Sequence, residues 1–103
     1  MVKVQGPSDD EKLDRIIKEA CERHGLGLQV VGWTRKTYDV HRKARTARDA
    51  GLIARIESFA MTSGEIRIYD DLALPFAEEV GAALETSFPT VGEAVIIRED
   101  KPV

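Results

Sequence analysis

The side chains best suited to chemistry in this chain are one cysteine and two histidines. Cys21 and His24 are three residues apart, which places both on one otherwise apolar face of a predicted helix. His41 follows Asp39 by two residues, but no nucleophile accompanies the pair. A single cysteine forms neither an internal disulfide nor a cysteine-based metal site. We therefore predict no catalytic residues, no metal and no cofactor, and an enzyme is the class that the sequence supports least.

Basic residues are unevenly distributed along the chain. The total of 15 Lys and Arg against 18 Asp and Glu gives a net charge of −3. Between Arg35 and Arg55, however, seven basic residues accompany only two acidic ones, so this segment carries +5 and the rest of the chain −8. Such a segment focuses positive potential on one face even when the net charge is negative. It predicts either contacts with successive phosphates of a nucleic acid or a solvated surface without a ligand.

Three aromatic residues stand close to basic residues on the expected sheet. Flat rings mixed with guanidinium groups on an open sheet face are of the kind that stacks single-stranded bases. The sequence does not match the RNP1 pattern of RNA-recognition modules, so this prediction comes from composition alone. The predicted nucleic-acid-binding residues are Arg35, Lys36, Arg42, Lys43, Arg45, Arg48, Trp33, Phe59 and Tyr69.

The same sheet face carries apolar side chains, which favours a second interpretation. An exposed apolar sheet face leads to association unless something covers it. A second copy of the chain, a protein partner or the chain's own first helix would each provide that cover. We therefore predict a small module that acts through protein–protein association as a homo-oligomer, with binding of RNA or single-stranded DNA as the alternative function. The predicted interface residues are Ile53, Phe59 and Met61.

Two helices are predicted from their ends and their apolar spacing. The first begins at a capping box that starts with Ser8, continues as an apolar stripe at intervals of three and four residues, and ends at Gly25. The second begins at Asp70 or Asp71 and ends before Pro89. Each has one apolar side, so each needs a sheet face to cover.

Segments rich in branched apolar residues predict the strands. Two of them are expected to form a hairpin with a three-residue turn that pairs Ala60 with Ile66. That register places alternate apolar residues of both strands on one face. The predicted strands are Leu26–Trp33, Leu52–Met61, Glu65–Tyr69 and Glu93–Arg98.

The segment Thr37–Ala50 decides between two topologies. As a helix it produces an N-terminal helix followed by the ferredoxin-like order βαββαβ. As a loop it produces the order αβββαβ. Both are α+β two-layer sandwiches with an antiparallel sheet and helices on one face. A length of 103 residues supports one core, so we predict a single domain over residues 1–103.

The chain has no strongly apolar segment of the length that a membrane requires. A bilayer span needs about 18 consecutive apolar residues, and no run here approaches that length. The first residues also lack the apolar core of a signal peptide. We therefore predict a cytoplasmic protein without a membrane partner.

Overall fold

A five-stranded sheet and three helices make up the fold, and the computed structural model describes residues 9–43 and 51–100 of it. The helices are α1 (Asp9–Arg23), α2 (Ala60–Ser63) and α3 (Leu74–Ser87), with a 3₁₀ turn at Asp71–Ala73 before α3. The strands are β1 (Leu26–Val31), β2 (Thr37–Arg42), β3 (Leu52–Glu57), β4 (Glu65–Ile68) and β5 (Val95–Arg98). The α+β class predicted from the sequence is confirmed.

The strands follow the chain in order across the sheet, β1-β2-β3-β4-β5. The first four pair antiparallel, but β5 runs parallel to β4. The prediction of a wholly antiparallel sheet is therefore wrong. The reason is the connection, because α3 lies between β4 and β5 in the chain and a helical crossover joins parallel neighbours.

Within the segment Thr37–Ala50, Thr37–Arg42 is a strand, and not the helix or the loop that the sequence left open, while residues 44–50 lie outside the described residues. Tyr38 and Val40 are buried, while Asp39 between them is partly exposed. This period of two is that of a strand with one buried face. The ferredoxin-like order is therefore not the observed one, and the order αβββαβ also lacks this strand.

The connection between β3 and β4 is longer than the predicted three-residue turn. Ala54 pairs with Ile68 and Arg55 with Arg67, and α2 lies in the connection. The predicted register differs from this one by four positions. Because four is an even number, each side chain keeps its face of the sheet. Ala54, Ile56, Ile66 and Ile68 of the predicted apolar face are accordingly buried, but the irregularity between Val40 and His41 buries Ile53 in place of Leu52.

The core lies between the inner face of the sheet and the two long helices. The strand register aligns the inner-face side chains of neighbouring strands, and the helices bury their apolar sides in the same cluster. No helix within residues 9–43 and 51–100 has the length and apolar character to cross a bilayer. The largest buried core residues are Leu13, Ile17, Tyr38, Val40, Ile53, Ile56, Ile66, Ile68, Phe76, Val80 and Leu84.

A polar contact connects α1 to the buried side of β2. The Tyr38 hydroxyl donates a hydrogen bond to the Asp14 carboxylate of α1. Lys36 Nζ donates to the other oxygen of the same carboxylate at 3.2 Å. One acidic side chain therefore satisfies a buried hydroxyl and a neighbouring ammonium group, and it positions the helix against the sheet.

Candidate functional site

The predicted basic segment does not form one patch in the fold. Arg35 and Lys36 precede β2, whereas Arg42 ends it and Lys43 follows. β2 is six residues long, which is roughly 20 Å at about 3.3 Å per residue, so about that distance separates the pair before the strand from the pair at its end. The described cations therefore lie at opposite ends of one strand. Two further predicted residues, Arg45 and Arg48, lie outside the described residues.

Two cations of this segment already have carboxylate partners. Lys36 pairs with Asp14 as described above, and Arg55 donates from Nε to Asp39 Oδ1 at 2.7 Å. The hydrogen bond to Asp39 is the main reason that the pKa of Arg55 lies above its ordinary value. These two cations are therefore already engaged within the fold: Lys36 contacts α1, and Arg55 of β3 contacts β2. Cations of the segment without an ion pair to any described residue are Arg35, Arg42 and Lys43.

Charged side chains on the outer face of the sheet, opposite the helices, neutralise one another. The register places five residues in one row across the strands: Gln29, Asp39, Arg55, Arg67 and Ile97. Like charges directly opposite each other are destabilising unless acidic neighbours compensate. Asp39 compensates Arg55, and Glu99 Oε1 lies 3.2 Å from Nε of Arg67. A polyanion on this face would have to displace those carboxylates.

The three predicted aromatic residues lie in different parts of the molecule. Trp33 is in the turn between β1 and β2, and its exposed fraction is 94%. Phe59 precedes α2 and is 38% exposed, with the Arg67 guanidinium carbon 5.9 Å from its ring centroid. The backbone N–H of Tyr69 donates to Ile53 at the start of β3, whereas the β1–β2 turn with Trp33 lies beyond the end of β3. The fold therefore does not bring all three rings onto one stacking surface.

The predicted interface residues also differ in their accessibility. Ile53 is fully buried, so it presents no area to a partner while the domain is folded. Met61 is half-buried and packs against the core. Phe59 alone of the three is an exposed side chain. The proposed apolar association face is consequently smaller than the sequence pattern suggests.

The free edge of β1 is a feature that the sequence analysis did not single out. β1 is a terminal strand, so no other described strand pairs with its outer side. Its residues, LGLQVV, include no charged side chain and no proline. Val30 and Val31 at its end are about half exposed. The uncharged run is visible in the sequence, but only strand pairing shows that it lies at an edge.

A groove of about 560 Å³ lies between the β1–β2 turn and α2, and we call it the turn groove. The backbone N–H of Ser58 donates to the carbonyl of Lys36 at 2.9 Å, which joins the two elements. The groove combines two cations, a carboxylate, three hydroxyls and two apolar side chains, and two of the hydroxyls are those of Thr37 and Thr62. The other groups belong to Arg35, Lys36, Glu57, Ser58, Phe59 and Met61.

The cysteine and the histidines lie apart from these surfaces. Cys21 is buried, and burial is the main cause that raises the pKa of its thiol to about 11. His24 lies 3.1 Å from the Glu79 carboxylate of α3, so it takes part in helix–helix contact. His41 Nδ1 is buried and has no hydrogen-bond partner within the described residues. Within the same residues, no group of three His, Cys, Asp or Glu is placed to hold a metal.

Comparison with known proteins identified no relative of this chain. The chain matches no protein family model, no curated protein and no solved structure. Two surfaces of the described structure remain as candidates for function, the edge of β1 and the turn groove.

Proposed function

We propose that this protein is an assembly module that pairs with a second copy of itself through the free edge of β1. The observation that supports this most directly is an uncharged terminal strand whose outer side pairs with no other described strand. Such an edge offers a row of N–H and C=O groups to another chain. Natural proteins usually block it with lysine, proline or a bulge. β1 has neither residue, and its register with β2 is regular.

A second copy is the partner that this strand fits without further assumptions. Two antiparallel copies of one strand make the same contacts twice around a two-fold axis. Pairing of this kind closes after two chains and would join the two five-stranded sheets into one. The backbone groups of β1 would then be satisfied along the whole strand.

Exposed valines add apolar contact to this backbone pairing. Val30 and Val31 point to opposite faces of the sheet, and each is about half exposed. Covering the exposed half of one valine contributes about 1 kcal/mol. The two valines of each copy together supply about 4 kcal/mol, which is comparable only to the smallest estimates of the cost of association. The backbone hydrogen bonds must therefore supply the rest of the association free energy, and they also fix the register between the two β1 strands.

The other edge of the sheet is less suited to self-pairing. β5 has four described residues and ends in Arg98, which lies 3.5 Å from Asp71. A charge and its partner at the end of a short strand oppose the approach of another strand. Val95 on this edge is nonetheless 49% exposed, nearly the same fraction as the 50% of Val31. The two valines are therefore a matched pair for mutagenesis.

Light scattering or sedimentation equilibrium tests the proposal. Native protein should have twice the chain mass of 11.4 kDa. Val31→Lys places a charge on the β1 edge, so its mass should return to that of one chain. Val95→Lys makes the same change on the opposite edge and should leave the dimer intact. Circular dichroism of both variants checks that each remains folded.

Two results would overturn the assignment. Native protein that stays at the mass of one chain over the accessible concentration range would exclude self-association. Dissociation by Val95→Lys, with Val31→Lys remaining dimeric, would place the interface on β5 and contradict the role given to β1.

A further inference from the structure

The turn groove contains a combination of groups that edge pairing does not use. Arg35 in this groove has no ion pair with any described residue, and Glu57 is the one acidic side chain among the groove's described lining residues. Ser58 supplies a hydroxyl that makes no hydrogen bond with the described residues. The ring of Phe59, which is 38% exposed and has the Arg67 guanidinium over it, supplies a partly exposed aromatic surface. A cation, a hydroxyl and a ring are the groups that bind a phosphate, a sugar and a base.

Trp33 extends this set beyond the groove. It lies two residues before Arg35 in the same turn, and its side chain is almost completely exposed. The turn itself has a restricted backbone, because Gly32 has φ of +100° and a Cβ there would fall 2.3 Å from the Arg35 carbonyl oxygen. Large exposed aromatic rings on a defined turn are costly to leave in water. Stacking against a base is one use that removes this cost.

We infer that the turn groove and Trp33 bind single-stranded nucleic acid. A phosphate lies at Arg35, one base contacts Phe59, and the neighbouring base stacks on Trp33. The groove volume of about 560 Å³ is within the range of sites for small ligands and accommodates about one nucleotide. An acidic peptide would also satisfy Arg35, but it would not use two exposed rings. The rings therefore favour nucleic acid over an acidic protein partner.

The other charges of the groove predict weak binding. Lys36 shares its ammonium with Asp14, and Glu57 places a carboxylate among the lining residues. At most two cations thus contact phosphates. For single strands this number predicts a slope of about −1.4 in log affinity against log salt, or about a sevenfold loss between 50 and 200 mM.

Trp33 is the one tryptophan of the chain, so its fluorescence reports directly on this site. Titration with oligothymidylate or oligouridylate in about 50 mM salt should quench the emission, and about 200 mM salt should weaken the binding as stated. Arg35→Gln should lower the affinity several-fold. Arg42→Gln is the matched control, because that arginine is also exposed and has no ion pair to a described residue. It should change the affinity less than twofold.

A second readout separates stacking from simple charge attraction. Anisotropy of a labelled oligonucleotide should show about tenfold weaker binding to Trp33→Ala, because one stacked base is lost. Absence of quenching by either oligonucleotide would overturn the inference. So would equal effects of Arg35→Gln and Arg42→Gln, which indicate diffuse attraction. Equal quenching by polyglutamate would assign the groove to acidic peptides instead.

Discussion

Removal of the Tyr38 hydroxyl should destabilise the fold by about 1.5 kcal/mol. This hydroxyl is buried at the inner face of β2 and donates to Asp14 of α1. Hydrogen bonds to charged groups contribute roughly 1.5–3 kcal/mol. The Asp14 side chain is 43% exposed and keeps its contact with Lys36. After the hydroxyl is removed, water and Lys36 still bind the Asp14 carboxylate. The expected loss in the free energy of unfolding is therefore at the lower end of that range.

Tyr38→Phe is the appropriate variant because it keeps the ring in the core and removes only the hydroxyl. Urea unfolding followed by circular dichroism measures the loss, and thermal unfolding should show a decrease in Tm of roughly 6–12 °C for a domain of this size. Tyr69→Phe is the control, since that hydroxyl has no hydrogen bond to a described residue. It should change the free energy of unfolding by less than about 0.5 kcal/mol.

A double-mutant cycle tests the contact itself. Asp14→Ala, Tyr38→Phe and the double variant should give a coupling energy of about 1 kcal/mol, because contacting residues are not independent. If the two changes prove additive, the hydroxyl and the carboxylate do not stabilise each other. If Tyr69→Phe destabilises as much as Tyr38→Phe, the loss does not come from the contact with α1. Either result would refute the reasoning.

Three further predictions concern other parts of the fold. Burial raises the pKa of Cys21 from 9.0 to about 11. The contribution of the neutral thiol to stability is therefore full below pH 9 and is lost as the pH rises through 11. Urea unfolding of native protein and Cys21→Ala at increasing pH should show this loss in the native protein only. Hydrogen bonds, chiefly from Arg23, lower the pKa of Glu79 below its ordinary 4.5. The stabilisation by its carboxylate is therefore present above pH 4.5 and is lost as the pH falls. The free energies of unfolding of native protein and Glu79→Gln should converge in acid. Gly64→Ala should lower the free energy of unfolding by about 2–4 kcal/mol, since φ is +69° and the Cβ would lie 2.6 Å from Val91 Cγ1. Gly92→Ala is the control, because Gly92 has a similar φ but open space around it. Urea unfolding should show a loss of about 1–2 kcal/mol for this variant.

Local signals in the sequence were sufficient for α1 and α3 and for most of the buried faces of two strands, whereas α2 lies where the sequence predicted a strand end and a turn. α1 ends at Arg23, and Gly25 after it has φ of +65°. A glycine adopts this left-handed conformation without a steric penalty, so it ends the helix wherever it falls in the fold. Asp70 accepts a hydrogen bond from the Leu72 N–H at the start of the second helical region, as its short polar side chain predicts. The buried faces of β3 and β4 follow from a period of two that a register shift of four does not disturb.

The candidate site depended on information that no local pattern contains. Tyr38 and Val40 alternate too briefly to separate a strand from a weak helix, and β2 is decided by its pairing on both sides. That pairing places Asp39 beside Arg55 and so removes this arginine from the unpaired cations of the basic segment.

The sequence by itself therefore determined the α+β class, both long helices and the concentration of positive charge, since each arises from neighbouring residues. Only the tertiary structure decided which strand lies at the edge, that Trp33 stays in solvent, and which cations are already paired. Edges, exposure and ion pairs are relations between residues distant in the chain, and the balance of burial and strand pairing over the whole domain determines them.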